Sequence, residues 1–204
     1  MSGMARLTRS QSQARTRADL LATARDLFLA EGYAKTSMER VAEEAGYSKG
    51  AVYSNFRTKK ELCLEVLALI HATKFAEVTD LLAGSDDLEA RLARFQSWAE
   101  RTLGDVGWTM LEFEFATVAR DDPELRAALV SALDVVRGTV AAQLQTLADD
   151  LGLSLPLSPE DAAATVLSLG LGVGIQRAID PTVSARVVTD AVRLLLSAVR
   201  EPAR

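Results

Sequence analysis

Residues 36–56 read TSMERVAEEAGYSKGAVYSNF, and this stretch predicts two short helices joined by a tight turn. Thr36 and Glu39 stand at the spacing of a capping box, which would open the first of the two helices. Gly46 supplies a residue that tolerates positive φ where the chain must turn sharply. Ser48 is then placed to cap the second helix, so the stretch predicts a helix-turn-helix.

The second helix, predicted for residues 49–56, has two unlike faces. Val52 and Phe56 lie four apart and are expected to point into a core. Lys49 and Tyr53 are also four apart, on a different face that carries further polar side chains. A short helix with an apolar back and a basic, polar front suits the major groove of DNA.

A wider pattern of glycines, small apolar residues and caps surrounds these two helices. Its members are Gly32, Thr36, Val41, Ala42, Ala45, Gly46, Ser48, Gly50, Val52, Tyr53, Phe56, Lys59 and Leu62. At this spacing the run GYAKTSMERVAEEAGYSKGAVYSNFRTKKEL resembles the N-terminal DNA-binding domain of the TetR (tetracycline-repressor) family of one-component transcriptional regulators. The resemblance covers roughly residues 16–62, and it implies that the protein regulates transcription in response to a ligand.

The predicted DNA contacts follow from these faces and from the resemblance. At the start of the first short helix, hydroxyl groups and free backbone amides form a phosphate site, and Lys59 is placed to pair with another phosphate. Tyr53 resembles the family's tyrosine, whose hydroxyl holds the DNA backbone. Lys49 suits guanine acceptors, and the Ala51 methyl group suits that of thymine. The full set of predicted contacts is Thr36, Ser37, Tyr47, Ser48, Lys49, Gly50, Ala51, Tyr53, Ser54, Asn55 and Lys59.

Charge is distributed unevenly along the 204 residues, whose formal net charge is −5. Residues 1–60 carry 11 basic and 6 acidic side chains, whereas residues 61–204 carry 12 and 22. A basic N-terminal part on an acidic body is expected where one end of a protein meets phosphates. Chance variation of surface charge is the alternative, and the motif favours phosphate contact.

The composition is that of a globular protein, with 49% hydrophobic and 25% charged residues. We find no uninterrupted apolar run of the roughly 18 residues that a membrane span needs, and no apolar block near the N-terminus. We therefore expect no membrane segment, no signal peptide and a cytoplasmic location. Cys63 and His71 are the only cysteine and histidine, so a zinc cluster is excluded and we expect neither a metal nor a cofactor.

Helical periodicity without strand-like alternation predicts an all-α fold of about nine helices. We expect a flexible basic tail over residues 1–13, the DNA-binding domain over residues 14–62, and a helical effector-binding and dimerisation domain over residues 63–204. The first helix is predicted for residues 15–31. The fourth, predicted for residues 59–82, would join the two domains as a rigid rod.

Local signals predict several other helix ends. Asp122-Pro123 and Ser158-Pro159 each combine a cap with a proline at the first helical position, and so open the seventh and eighth helices. Asp180-Pro181 repeats this pattern and predicts the start of the ninth helix. Gly104 and Gly107 predict a turn before the sixth helix.

The helical domain also contains candidates for the pocket of a small, apolar effector. Aromatic side chains would line a cavity and a few polar groups would orient the ligand, although the same aromatic stripe also suits an ordinary core. His71 is expected as a surface or hydrogen-bonded core histidine, with a ligand contact as the alternative. The predicted lining is Phe75, Phe95, Trp98, Trp108, Met110, Phe113, Glu114, Thr117, Gln143 and Gln176.

A DNA-reading helix of this size needs a second copy, so we expect a homodimer on a palindromic operator. The eighth helix is apolar all round and rich in glycine, and the TetR family pairs its subunits through this C-terminal region. The alternative is that the last two helices are interior to a monomer. The predicted interface residues are Leu167, Gly170, Leu171, Gly174, Val188, Val192 and Leu195.

Four functions compete for this sequence. A repressor that a small apolar effector releases from its operator is favoured. An activator, or a regulator whose ligand promotes DNA binding, has the same sequence features. An enzyme is not supported, because Glu112 and Glu114 lie on opposite sides of a helix and the glycine run GLGVG lies inside one. The fourth is a small-molecule buffer or protein-docking module that never touches DNA.

Overall fold

The computed structural model describes residues 8–84 and 87–197, and within them the chain forms nine α-helices and no strand. This arrangement confirms the predicted all-α fold. The helices are α1 (Arg9–Glu31), α2 (Met38–Glu44), α3 (Lys49–Asn55), α4 (Lys59–Leu82), α5 (Leu88–Thr102), α6 (Val106–Arg120), α7 (Pro123–Asp150), α8 (Pro159–Ile179) and α9 (Arg186–Ser197).

Side-chain caps begin several of these helices, including α7 and α8, for which the local signals predict them. At the start of α4, the Thr58 hydroxyl oxygen accepts a hydrogen bond from the Glu61 N–H. Asp122 and Ser158 cap α7 and α8 in the same way, and each is followed by a proline in the first turn. Gly32 follows the end of α1 with a φ of 86°, which confirms the predicted stop.

The first helix begins earlier than predicted. Thr8 and Gln11 form a capping box that opens α1 at Arg9. Residues 9–13 are therefore helical, and the prediction that they belong to a flexible tail is wrong. Thr8 caps this helix, and residues 1–7 of the predicted tail lie outside the described residues.

Two other helix starts also differ from the prediction. Because α6 begins at Val106, Gly107 lies inside a helix instead of a turn. Asp180 does not open α9, which begins at Arg186. The Asp180 carboxylate oxygen accepts hydrogen bonds from the backbone N–H and the hydroxyl of Thr182, at 3.0 and 2.7 Å. Asp180 therefore closes a turn after α8.

Two apolar cores share the helix α4. The first core joins α1–α3 and the first part of α4 to α6 and the start of α7. The second joins the last part of α4 to α5, α7, α8 and α9. Leu62 and Ile70 belong to the first core, whereas Val78 belongs to the second. A single rod thus spans both cores, and the domain boundary at residue 62 stays a prediction.

The helix α6 belongs to the first core and packs directly on the end of α1 and the loop after it. Gly107 lies against the backbone of α1, where a Cβ on this glycine would stand 2.4 Å from the carbonyl oxygen of Leu29. Further along the helix, the Glu114 carboxylate accepts a hydrogen bond of 3.2 Å from the N–H of Ala34, in the loop after α1. One face of α6 therefore supports the N-terminal helices directly.

Two helices are long and apolar enough to cross a membrane by length and composition alone, namely α7 and α8. A search for uninterrupted apolar residues misses these two helices, because a stretch of 18 residues can have a high mean hydropathy and still contain one or two charged side chains. Both contribute side chains to the second core, and length with composition is weak evidence for a span when a helix packs in a globular fold.

Candidate DNA-binding surface and effector cavity

The start of α2 differs in detail from the prediction. Ser37, not Thr36, caps this helix, because its hydroxyl oxygen accepts a hydrogen bond of 3.1 Å from the Arg40 N–H. The Thr36 hydroxyl points the other way and donates to the Gly32 carbonyl oxygen at 3.0 Å, and only 1% of the residue is exposed. The prediction that the Thr36 hydroxyl meets a phosphate is therefore wrong, whereas Ser37 lies at the exposed helix start.

The turn and the buried side of α3 agree with the sequence prediction. Gly46 has a φ of 75°, as a sharp turn between helices requires. The Ser48 hydroxyl oxygen caps α3 by accepting a hydrogen bond from the Ala51 N–H at 3.3 Å. Val52 and Phe56 are fully buried in the first core, which confirms the apolar back of the helix.

The front of α3 carries exposed side chains. Lys49, Gly50, Tyr53 and Ser54 are all exposed, and Ala51 is half-buried among them. The exposed front of α3, as we call these five residues, is continuous with the start of α2. It therefore presents one basic side chain and several small or polar groups on a helix whose opposite side is anchored.

Two predicted contacts of this region are partly engaged elsewhere. The Tyr47 hydroxyl donates a 2.7 Å hydrogen bond to the Asp19 carboxylate on α1, and its ring packs on the first core. The Tyr47 hydroxyl is thus paired with α1, and the base contact of this residue stays a prediction. Asn55 is half-buried, and its amide nitrogen donates to the Ala51 carbonyl oxygen at 2.8 Å.

Tyr53 stands beside the start of α2. Tyr53 is 47% exposed, and its hydroxyl donates a 2.9 Å hydrogen bond to the Glu39 carboxylate. This bond raises the pKa of Tyr53, while hydrogen bonds from the Glu39 backbone and from Tyr53 lower the pKa of Glu39. The tyrosine hydroxyl is thus held next to the amides at the helix start.

Lys59 lies beside the loop that leads from α1 to α2. Its ammonium nitrogen stands 4.2 Å from the centre of the Tyr33 ring and 3.4 Å from the Ala34 carbonyl oxygen. Partial burial lowers the pKa of this amine. Lys59 therefore joins the loop after α1 to the start of α4, at the edge of the candidate DNA-binding surface.

Sequence reasoning missed Arg17, which fixes the far end of α3. Its guanidinium donates to the Asn55 carbonyl oxygen at the end of that helix and, at 2.5 Å, to the Glu65 carboxylate on α4. The same group lies 4.2 Å above the Phe56 ring. A basic residue in the first turns of an amphipathic helix carries no sequence signal that separates this role from an ordinary surface position.

The second part of the molecule contains a cavity of about 320 Å³ between the helices α4 to α9. This volume lies at the lower end of the range for small-molecule sites. Five of the ten predicted residues line it, and the walls are mainly apolar. Those five are Phe75, Phe95, Trp98, Trp108 and Gln143.

The other five predicted residues do not line this cavity, because the faces of α6 and α8 that carry them turn elsewhere. Phe113 is exposed on the outside of α6. Glu114 faces Ala34 in the loop after α1. The corrected residues are Met110, Phe113, Glu114, Thr117 and Gln176.

The cavity also contains a contact between a histidine and a carboxylate that the sequence did not predict there. His71 Nε2 on α4 lies 2.6 Å from Glu112 Oε1 on α6. The indole N–H of Trp108 donates to the same oxygen at 2.9 Å. His71 is thus a hydrogen-bonded, largely buried histidine, as expected, and it also lines the cavity; a ligand contact stays an untested alternative. Glu112 is an acidic group inside an otherwise apolar lining.

The predicted dimer residues divide into two groups. Val188, Val192 and Leu195 are buried in their own subunit, and Gly174 is buried against Thr109 of α6. These four positions are therefore not available to a second subunit, contrary to the prediction. The remaining predicted residues are half-buried or exposed: Leu167, Gly170 and Leu171.

Other apolar side chains of α8 and α9 point to the surface. Ile179 is 79% exposed and Leu194 is 70% exposed, and Leu171 and Val187 are exposed as well. A Cβ on Gly170 would meet nothing within 4 Å. We call Leu171, Ile179, Val187 and Leu194 the exposed apolar face of α8 and α9; of these four side chains, Leu171 also lines the cavity.

Comparison with known proteins agrees with this arrangement. Residues 20–66 match the model of a family described as bacterial regulatory proteins, tetR family. The HTH-type transcriptional regulator TtgR of Pseudomonas putida is 37% identical over 70 residues, which are 34% of this chain and 33% of TtgR. The chain thus matches about one third of the length of that relative.

Two further comparisons extend over more of the chain. The HTH-type transcriptional repressor AcnR of Corynebacterium efficiens is 28% identical over 134 residues, which are 66% of each protein. The crystal structure of a TetR-family transcriptional regulator from Pectobacterium atrosepticum is 27% identical, with a TM-score of 0.68. That similarity covers 97% of this chain and all of the other, so it includes both the N-terminal helices and the helices that enclose the cavity.

Proposed function

We propose, starting from the membership of this chain in the TetR family of transcriptional regulators, that it is a repressor released from DNA by a ligand. It binds a palindromic operator as a homodimer, and a small, largely apolar effector releases it. Among the named relatives, AcnR is a repressor, which favours this direction over activation.

The observation that carries the proposal is the exposed front of α3. Lys49 and Tyr53 are exposed, whereas Val52 and Phe56 behind them are fully buried. In a helix-turn-helix, the recognition helix is anchored on one side so that its front can reach base edges. In this proposal Lys49 contacts bases, while Tyr53 and the start of α2 contact phosphates.

The exposed apolar face of α8 and α9 supports the dimer. Large apolar side chains that are more than two thirds exposed, such as Ile179 and Leu194, gain free energy when a second surface covers them. A two-fold dimer through this face pairs each patch with its own copy. The two α3 helices then read the two halves of a palindrome.

The cavity supports control by a ligand. Its walls include α4 and α6, the two helices that also support the N-terminal domain. A ligand that fits only when these helices move apart changes the spacing of the two α3 helices in the dimer, and the operator is released. Such a ligand acts only through its preference for the released form.

Selection of bound duplexes from a random pool tests the repressor proposal. We expect a palindromic consensus whose affinity falls steeply, by about 10³-fold or more, between 50 and 200 mM salt, because phosphate contacts release counterions. Binding without any sequence preference, or no binding at low salt, contradicts the proposal and favours the docking module. We place the protein in the cytoplasm, where the operator is accessible.

A further inference from the structure

The cavity holds one acidic side chain, Glu112, in an apolar lining. The side chain is 25% exposed, and the contacts from His71 and Trp108 both reach its oxygen Oε1. Neither of these contacts uses the second oxygen, Oε2, which remains an acceptor site of the carboxylate. An ionised carboxylate in such surroundings is stabilised by each additional donor or positive charge.

The nitrogen donors around the cavity are largely committed to the protein itself. Trp108 donates to Glu112, and the Trp98 indole N–H donates at 2.8 Å to Glu77, which does not line the cavity. The Gln143 amide donates to the Phe75 carbonyl oxygen at 3.1 Å. Besides ring faces and the hydroxyl groups of Thr109 and Ser168, the lining offers a ligand the carboxylate oxygen of Glu112, and a ligand that binds this oxygen must bring its own donor.

The charge of that donor follows from the same groups. An anion would lie beside the carboxylate of Glu112 in a poorly solvated site and would be repelled. A cation gains from the carboxylate and from the faces of aromatic rings. The lining also includes Arg137, but this side chain is 46% exposed and pairs with Asp134 at 2.7 Å, so its charge lies at the surface.

We propose that the cavity selects a lipophilic alkylamine that carries aromatic rings and is protonated at neutral pH, or another organic cation, whose charged nitrogen binds Glu112 and displaces His71 from it. The inference rests on the proposed function, since it names the ligand class of the proposed effector cavity. Because His71 lies on α4 and Glu112 on α6, the displacement removes a direct contact between the two helices that support the DNA-binding domain.

Three probes with one biphenyl skeleton test the selectivity. They are 4-phenylbenzylamine, which is protonated at pH 7, the neutral 4-phenylbenzyl alcohol and the anionic biphenyl-4-carboxylate. By calorimetry we expect the amine to bind at least about tenfold more tightly than the alcohol, and the carboxylate to bind most weakly. Equal affinities, a preference for the carboxylate, or no binding of any probe would overturn the proposal.

Two cavity variants and one control assign the selectivity to Glu112. Glu112→Gln should remove the preference for the amine, whereas Glu114→Gln should keep it, because Glu114 lies on the same helix and faces the loop after α1. His71→Phe should raise the affinity for the amine by about threefold or more, since the ligand no longer competes with the imidazole. Circular dichroism confirms that each variant is folded.

The outcomes also separate this inference from the proposed function. Duplex binding by the unliganded protein tests the DNA-binding role without any probe. If DNA binds selectively but Glu112→Gln keeps the preference for the amine, the cation site is wrong and the repressor stands. If the amine preference depends on Glu112 but no duplex is selected, the repressor is wrong and the cation site stands.

Discussion

The close contact between α6 and α1 predicts that Gly107→Ala destabilises the protein. A Cβ at this position would lie 2.4 Å from the carbonyl oxygen and 3.1 Å from the carbonyl carbon of Leu29. Both are backbone atoms of a helix, so they cannot rotate out of the way as a side chain can. The helix α6 must instead move by about 1 Å to reach an ordinary contact of at least 3.4 Å.

A second glycine provides the matched control for this variant. Gly138 lies in α7, and a Cβ there would meet nothing within 4 Å. Replacing glycine by alanine in a helix gains about 1 kcal/mol in helix preference, and Gly138→Ala should show this gain. Gly107→Ala carries an additional overpacking cost of about 1–3 kcal/mol, so the two variants should differ by about that amount.

Thermal unfolding at one protein concentration measures the difference, since the stability of a dimer depends on concentration. For a chain of this length, 1 kcal/mol shifts Tm by about 2–4 °C. We therefore expect Gly107→Ala to melt about 2–12 °C below Gly138→Ala. It should also bind the selected duplex more weakly, because α6 supports α1. Equal melting temperatures for the two variants would refute the reasoning from this contact.

Three further predictions concern DNA, the dimer and pH. Lys49→Ala should lower discrimination at one base-pair position by about 1–3 kcal/mol, whereas Tyr53→Phe should weaken binding to all duplexes alike; fluorescence anisotropy with single-mismatch duplexes separates the two, and an unchanged preference in Lys49→Ala contradicts the assignment. Leu194→Glu should convert the dimer to a folded monomer in light scattering, and a persistent dimer would place the interface elsewhere. Hydrogen bonds from the α7 backbone and from Lys60 lower the pKa of Asp122. This group therefore stabilises the fold above the ordinary Asp pKa and loses its contribution as the pH falls below about 4. Asp122→Asn keeps a helix cap, so its urea midpoint should fall less than that of the wild type between pH 6 and pH 3.5.

Local sequence signals predicted the helix-turn-helix well. Ser48 caps α3 through an N–H three residues away, and Gly46 makes the turn with a positive φ. Interactions of this range are encoded within one or two helical turns. The burial of Val52 and Phe56 follows from their spacing in the same way.

Neighbouring elements decided the cases in which the local prediction was wrong. Thr36 and Ser37 are adjacent hydroxyl residues, and either suits a cap in the sequence. Thr36 instead donates to Gly32, because the chain approaches α2 from the end of α1. Likewise, the Asp180 carboxylate accepts hydrogen bonds from the N–H and the hydroxyl of Thr182, and this turn precedes the start of α9.

For the cavity, too, local periodicity gave only part of the arrangement, and packing between distant helices gave the rest. Helical periodicity places Glu112 and Glu114 on different sides of α6, but it does not say what lies on each side. Packing of α6 between α1 and the cavity turns Glu112 towards His71 and Glu114 towards Ala34. The exposed Phe113 is outside the cavity for the same reason.

The amino-acid sequence by itself determined the helix-turn-helix, most helix ends and the basic N-terminal part, because caps, turns and charge act over a few residues or add up regardless of fold. The lining of the cavity, the partners of Arg17 and the exposed apolar face of α8 and α9 were decided by the tertiary structure alone. Each of these depends on how helices far apart in the chain are oriented towards one another, and helical spacing within a single segment does not contain that orientation.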